Sequence, residues 1–162
     1  MSVAEELLAA NARYAESFPG ALPAPPARRL AVVACMDARL DLYEALGLRI
    51  GDAHMIRNAG GLVTSDVLRS LAISQRALGT REVVVIGHTE CGMSGFDDAG
   101  FRAELAEQSG EQPDWDVPGF TDVAASVAGS VRRIRECGWL PSRDSVRGFV
   151  FDVRTGKISE VD

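Results

Sequence analysis

Short runs of apolar, often β-branched residues predict the strands of this chain. The run at residues 29–36 is continuous and apolar, which is typical of a strand buried on both faces in a parallel sheet. Nothing in it suggests an antiparallel strand with one solvated face. Further strands are predicted at residues 54–57, 82–88 and 148–153, and a Thr155-Gly156 turn leads into residues 157–161.

Helices are predicted between these strands and at the amino end. The clearest helix starts at a cap on Thr64 or Ser65 and ends at Gly79. Other helices are predicted over residues 2–17, 40–48 and 122–137. Residues 100–119 are polar and interrupted by two prolines, so we expect a loop there with one helical turn near residues 102–107.

The alternation of strands and helices indicates an α/β fold. We expect a mostly parallel central β-sheet flanked by helices, built by residues 29–162, and an N-terminal helical arm built by residues 1–28. The helix of the arm carries Leu7, Leu8 and Tyr14, and a proline-rich extended segment follows it. An apolar helix on an extended tether is stabilised best by a neighbouring surface, so we expect it to contact a second subunit.

Composition narrows the class of function. The chain has 162 residues, enough for about one domain, and its net charge of −6 has the wrong sign for binding nucleic acid or an anionic membrane. The amino end is acidic where a secretory signal needs positive charge, and no apolar run is long enough to span a membrane, so we expect a cytoplasmic protein. An odd number of cysteines, three, argues against structural disulfides and favours metal binding or catalysis.

Two segments at predicted strand ends carry the candidate chemistry. Cys35 lies at the end of the first strand, and His88 and Cys91 lie at the end of the third. Two thiolates and an imidazole form a soft ligand set that suits zinc, and three protein ligands leave a fourth position for water, as catalytic sites require. Cys137 and His54 stand apart from this set, and we expect structural roles for both.

Asp37 and Arg39 form a candidate gate beside the first of these ligands. If Asp37 takes the fourth position on zinc, no hydroxide can form there, and Arg39 supplies the cation that can draw the carboxylate away. Released, Asp37 can accept a proton from the zinc-bound water and orient the remaining hydroxide. Because two thiolates cancel the charge of the zinc ion, we expect activity to rise on the alkaline side.

Three motifs together resemble the signatures of the β-class carbonic anhydrases, especially the short bacterial and archaeal type. They are CMDAR at 35–39, RNAGG at 57–61 and HTECGM at 88–93. The resemblance implies an α/β fold, one zinc per chain, and a homodimer or dimer of dimers with the arm laid over the neighbouring subunit. It also implies that Cys35, His88 and Cys91 are zinc ligands and that Asp37 and Arg39 form the Asp/Arg dyad of the family.

These features predict the reversible hydration of carbon dioxide to bicarbonate and a proton, with zinc-bound hydroxide as the nucleophile. Apolar residues flank the motifs and favour a small, nearly apolar substrate: Val33, Met36, Leu62, Ile86 and Met93. Two alternatives stay open. One is hydrolysis of carbon disulfide or carbonyl sulfide on the same scaffold, and the other is a non-catalytic binding module with structural zinc, in which Asp37 closes the site permanently.

Overall fold

Five strands form a single sheet in the computed structural model, which describes residues 2–161. They are β1 (Leu30–Cys35), β2 (Ala53–Asn58), β3 (Glu82–His88), β4 (Val146–Phe151) and β5 (Ile158–Val161). Their order across the sheet is β2-β1-β3-β4-β5. The first four run parallel, whereas β5 runs antiparallel to β4. The mostly parallel α/β sheet expected from the sequence is therefore confirmed.

The helices within residues 2–161 occur mainly between these strands. They are α1 (Val3–Glu16), α2 (Leu42–Ala45), α3 (Ser65–Arg76), α4 (Asp98–Ser109) and α5 (Val123–Glu136). The side chain of Thr64 caps α3 by accepting a hydrogen bond from the Val67 amide, and Asp122 caps α5 in the same way. A 3-10 turn at Ala59–Gly61 follows β2.

The two faces of the sheet are covered differently. On one face, Leu71 of α3 and Ile134 of α5 share a buried cluster with Val33 of β1. On the other face, a second buried cluster contains Cys35 and Cys91 together with side chains of α2 and of the loops after the strands. The residues of the predicted ligand set therefore lie on the face that α3 and α5 leave free.

The prediction for residues 100–119 is wrong over its first half, because α4 is a helix of 12 residues rather than a single turn. Its ends are fixed by polar contacts: the Asp97 side chain accepts from the Gly100 amide, and Gly110 ends the helix in the left-handed conformation. Arg102 pairs with Asp98 one turn earlier. None of the residues of α4 is buried. The helix therefore lacks the apolar periodicity by which a buried face is recognised.

The amino-terminal helix α1 forms where it was predicted but buries none of its described residues. A capping box of Ser2 and Glu5 starts it, so local hydrogen bonds define its first turn. Leu7 and Leu8 are 65% and 71% exposed. The structure thus presents an apolar helical surface that this chain alone does not cover. No helix between residues 2 and 161 combines the length and the apolar character needed to cross a bilayer.

The 3-10 turn after β2 lies directly against the end of β1. The Asn58 side-chain amide clamps this turn by donating to the Leu62 carbonyl at 2.8 Å and accepting from the Leu62 amide at 2.9 Å. Gly61 has a φ of +64°, and a Cβ there would lie 2.8 Å from the main-chain nitrogen of Cys35. The turn can approach Cys35 this closely because residue 61 has no side chain.

Gly61→Ala should therefore lower the free energy of unfolding by about 2–4 kcal/mol, because left-handed strain and a backbone clash add together. Gly79→Ala is the matched control, since Gly79 has a φ of +74° but nothing within 4 Å of an added Cβ. The control should cost only about 1–2 kcal/mol, the strain alone. Urea unfolding measures both variants, and equal losses would contradict the proposed clash with β1.

Candidate metal centre

Neighbouring strand ends bring three potential metal donors together. Cys35 is the last residue of β1 and His88 the last residue of β3, and Cys91 follows in the tight turn after β3. Because β1 and β3 are adjacent and parallel, their carboxyl ends meet at one edge of the sheet. The two sulfur atoms and a ring nitrogen of His88 all lie within 4.8 Å of one another, and all three residues are buried.

The geometry of the sulfur atoms fits a tetrahedral metal ion. The Sγ atoms of Cys35 and Cys91 are 3.9 Å apart, and both cysteines are free. Two sulfurs that each lie ~2.3 Å from one tetrahedral zinc ion would be separated by about 3.8 Å. The observed spacing therefore matches shared coordination, whereas a disulfide would need about 2.05 Å.

The imidazole of His88 is oriented as a metal ligand would be. Its Nδ1 lies 2.9 Å from the carbonyl oxygen of Thr89, which can only accept, so Nδ1 carries the proton. The lone pair is then on Nε2. Among the side chains that the structure describes, Nε2 of His88 is the buried polar atom without a hydrogen-bond partner. A buried acceptor left in this state is costly, and a cation bound between it and the two sulfurs would satisfy it.

The two thiols would ionise readily only beside a bound cation. Burial raises the pKa of the Cys91 thiol, and the neighbouring Cys35 raises it further. Deprotonating both thiols without a cation would place two negative charges in one buried space. A divalent ion would offset this repulsion and the loss of hydration, so metal binding at this donor set would release the thiol protons.

Asp37 is paired with Arg39 rather than placed among the three donors. The Arg39 guanidinium donates from Nε to Oδ1 at 3.0 Å and from Nη2 to Oδ2 at 2.7 Å, and the Arg39 amide donates to Oδ1 at 2.9 Å. These hydrogen bonds with Arg39 hold the pKa of the Asp37 carboxyl far below its usual range. Oδ2 of Asp37 lies 3.7 Å from Nε2 of His88, so the carboxylate borders the centre without entering it.

Arg39 also links the two segments that carry the donors. Its Nη2 donates to the carbonyl oxygen of Glu90 at 3.0 Å, in the turn between His88 and Cys91. Glu90 has a φ of +54°, an uncommon conformation for a residue with a side chain. This cross-link was not predicted from the sequence, since it depends on how two separate loops meet.

Two residues of the RNAGG motif contribute contacts that sequence reasoning did not assign. Asn58 clamps the turn that packs against Cys35, as described above. Arg57 donates hydrogen bonds to three main-chain carbonyls of the loop that follows β1. The sequence identified the motif but did not show that its polar side chains form hydrogen bonds with main-chain atoms. The spacing of residues in a motif does not indicate which main-chain atoms a side chain reaches.

The remaining candidates lie outside the centre. His54 is near the amino end of β2, where its Nδ1 lies 2.8 Å from the Ser74 hydroxyl, and that hydroxyl lies 2.7 Å from the Thr80 hydroxyl. Cys137 is buried in the cluster beneath α3 and α5. Both placements agree with the structural roles expected for them. Val33 belongs to the same cluster and not to the metal side of the sheet, so it does not flank the site as expected.

Comparison with known sequences identifies similar proteins over most of the chain. The sequence profile of the family described as carbonic anhydrase matches residues 30–158. The chain is 50% identical over 161 residues to Beta-carbonic anhydrase 1 of Mycobacterium tuberculosis, covering 99% of each protein. It is also 37% identical over 155 residues to a carbon disulfide hydrolase of Acidithiobacillus thiooxidans, covering 83% of this chain and 77% of the other.

Comparison with solved structures gives a similar result for the fold. The crystal structure of a carbonic anhydrase from Streptococcus mutans superposes with a TM-score of 0.92 at 41% sequence identity. The match covers 100% of this chain and 99% of that one. The amino-terminal helix and the extended segment after it are therefore part of the shared architecture.

Replacing a donor of the centre should remove the metal. Cys35→Ser and Cys91→Ser should each reduce bound zinc from one ion per chain to below about 0.1, because two remaining soft donors hold zinc poorly. Cys137→Ser is the matched control, since it removes a buried thiol elsewhere, and it should leave the zinc content unchanged. Elemental analysis after gel filtration measures all three, and full zinc content in the two donor variants would contradict the assignment.

Proposed function

This chain belongs to the β-carbonic anhydrases, and on that premise we propose that it catalyses the reversible hydration of carbon dioxide to bicarbonate and a proton. The observation that carries the proposal is the buried and unpartnered Nε2 of His88, which faces two cysteine sulfurs. Members of this family are zinc enzymes. Soft donors of this kind, gathered at the carboxyl edge of a parallel sheet, support a catalytic metal rather than a packing role.

Cys35, His88 and Cys91 would hold one zinc ion per chain. Bound zinc supplies a Lewis acid that lowers the pKa of a water molecule and so provides a nucleophile near neutral pH. Two thiolates and one neutral imidazole supply a total charge of −2, which cancels that of the ion. The cysteines therefore weaken this effect relative to three histidines, and the reaction should run faster at alkaline pH.

Asp37 supplies a hydrogen-bond acceptor beside the centre. Its oxygen Oδ1 takes two hydrogen bonds from Arg39, whereas Oδ2 takes one and lies nearer to His88. Oδ2 can therefore accept a further hydrogen bond from a water molecule and orient it toward carbon dioxide. Since Arg39 lowers the pKa of Asp37, this carboxylate is a weak base. It would therefore orient the water by accepting a hydrogen bond and would not hold the proton that the water loses.

Arg39 controls the position of this carboxylate. A free Asp37 side chain could become a fourth metal ligand, because it already borders His88. The hydrogen bond with Asp37 raises the already high pKa of Arg39, so its guanidinium stays charged at neutral and alkaline pH and offers two donors in a planar fork. We propose that this pairing keeps Asp37 off the fourth position and leaves that position open to water.

Carbon disulfide hydrolysis is the second candidate function. It is favoured by the 37% identity to the hydrolase of Acidithiobacillus thiooxidans. Carbon disulfide, like carbon dioxide, is a small linear electrophile, so the same donors could serve both substrates. The identity of 50% over nearly the whole length of the Mycobacterium protein supports carbon dioxide as the substrate.

We further propose that the protein is a homodimer, or a dimer of dimers, in which the arm of residues 1–28 lies on the neighbouring subunit. The support is the exposed apolar surface of α1, on which Val3 and Leu8 are each 71% exposed. Large exposed apolar patches of this kind mark surfaces that a partner covers. Residues 29–162 would then form the zinc-binding domain.

Stopped-flow carbon dioxide hydration, on protein of measured zinc content, tests the proposed reaction. We expect turnover that increases on the alkaline side of neutrality. Hydrogen sulfide release from carbon disulfide, measured on the same sample, tests the second candidate. Zinc-loaded protein that turns over only carbon disulfide would favour that candidate. Zinc-loaded protein that turns over neither substrate at any pH would indicate a closed structural site.

Arg39→Ala should lower kcat for hydration by about a hundredfold or more while zinc content stays unchanged, because Asp37 is then free to bind the metal. Arg154→Ala is the matched control. Arg154 is an exposed arginine on the same rim and pairs with Glu90. The control should keep kcat within about twofold. An Arg39→Ala protein with the original rate and pH profile would contradict the role of the pair.

The double substitution Leu7→Glu/Leu8→Glu should prevent dimer formation, because it places two charges on the apolar surface of α1. Ala9→Glu is the control, since Ala9 lies on the opposite side of the helix at 100° per residue. Multi-angle light scattering should give a monomer or aggregates for the double variant and a dimer for the control. A dimer of unchanged mass in both would contradict the role of the arm.

A further inference from the structure

Arg57, on the edge strand β2, has an unusual set of hydrogen-bond partners. Its Nε donates to the carbonyl oxygen of Cys35 at 2.8 Å, and its Nη2 donates to that of Asp37 at 2.7 Å. Its Nη1 donates to the carbonyl of Leu40 at 3.3 Å. All three nitrogens of one guanidinium are thus directed at the main chain of one short segment, which consists of the last residue of β1 and the loop that follows it.

The charge of Arg57 is not used in an ion pair. Other arginines of the chain, such as Arg39, Arg102 and Arg147, contact carboxylates. Among the carboxylates that the structure describes, none lies within 4.0 Å of the Arg57 guanidinium. The strong, fixed donors of this side chain are therefore available to neutral carbonyls, which they bind in a rigid planar arrangement.

The loop that Arg57 binds has little regular structure of its own. It leaves β1 at Cys35, and its main-chain hydrogen bonds run from the Met36 amide to the Asn58 carbonyl and from the Leu40 amide to the Asp37 carbonyl. Neither a helix nor a strand spans residues 36–41. Hydrogen bonds from a side chain outside the loop therefore have a large influence on the conformation of the loop.

We propose that Arg57 is a positioning residue for the carboxylate of Asp37. It does not contact that carboxylate, since its hydrogen bond goes to the Asp37 carbonyl. By fixing the main chain on both sides of Asp37, Arg57 holds the Asp37 side chain where the Arg39 guanidinium can form both hydrogen bonds with the carboxylate. This inference rests on the role proposed above for Asp37 and Arg39, and it adds the residue that makes their pairing geometrically favourable.

Arg57→Met tests this role because it removes the guanidinium and retains the apolar stem. We expect kcat for hydration to fall by about 10- to 100-fold with KM near its original value, since a displacement of about 1 Å in a catalytic group has this effect. Zinc content should remain one per chain. Arg57→Lys should be intermediate, because an ammonium group cannot reach three carbonyls in fork geometry.

Arg76→Met is the matched control. Arg76 also donates to a main-chain carbonyl, that of Trp139, at 2.9 Å, but it lies on α3 away from the loop. Its loss should leave kcat and zinc content unchanged. An equal loss of activity in Arg76→Met and Arg57→Met would overturn the proposal, because it would reflect a general effect of removing an arginine.

A spectroscopic measurement separates positioning from a general structural role. With Co²⁺ in place of zinc, Arg57→Met or Arg57→Lys should shift the visible absorption bands, because Asp37 is then free to approach the metal. In an Asp37→Asn background the same substitutions should cause no shift. An unchanged spectrum, or the same shift with and without Asp37, would overturn the proposal. This measurement needs no turnover, so a wild-type protein inactive toward carbon dioxide would contradict the proposed function and leave this test intact.

Discussion

The parallel pairing of β1 with β3 is the constraint on which the rest of the structure depends. Ala34 pairs with Ile86, so the chain places Cys35 and His88 beside each other just beyond the last shared pairs. Buried valines on both faces of these strands fix this register through packing. A slip of one residue would turn His88 to the opposite face of the sheet. The core therefore sets the spacing of two donors before any metal is bound.

Some polar and charged groups lie inside the candidate centre, and others lie at its border. Inside it, the buried thiols and the unpartnered imidazole nitrogen all favour a cation. At its border, Asp37 would add a further negative charge, but Arg39 binds it through two parallel hydrogen bonds. The guanidinium thus offsets the negative charge of this carboxylate. In the structure this carboxylate therefore stays with the guanidinium at the border of the site.

The sequence was informative wherever local patterns determine the outcome. Apolar runs located β1 and β3, a Thr64 cap located α3, and the types and spacing of Cys35, His88 and Cys91 pointed to one site. The sequence was less informative where burial or strand register determines which residues form an element or come into contact. The exposed helix α4 lacks an apolar face, so its polar caps alone gave too weak a signal.

The contacts of Arg57 could not be read from its motif either. Arg57 pairs with Ala34 in the register between β2 and β1, and only this register brings its side chain to the end of β1. Likewise, the link from Arg39 to the Glu90 carbonyl joins loops that are distant in sequence. Spacing patterns report on neighbours along one element, whereas these hydrogen bonds join separate elements through main-chain atoms that every residue possesses.

The potential metal donors and the carboxylate beside them lie on different kinds of main chain. Cys35 and His88 end strands within a five-stranded sheet, so their positions are rigid. Asp37 lies on a loop whose main chain accepts hydrogen bonds from Arg57, and its carboxylate pairs with Arg39. A metal site needs donors that stay fixed, because displaced donors weaken binding. The loop that carries Asp37 has no regular structure, so hydrogen bonds from Arg57 have to hold it in place. The strand ends therefore fix the potential donors, and the hydrogen-bonded loop fixes the carboxylate two residues further along the chain from Cys35.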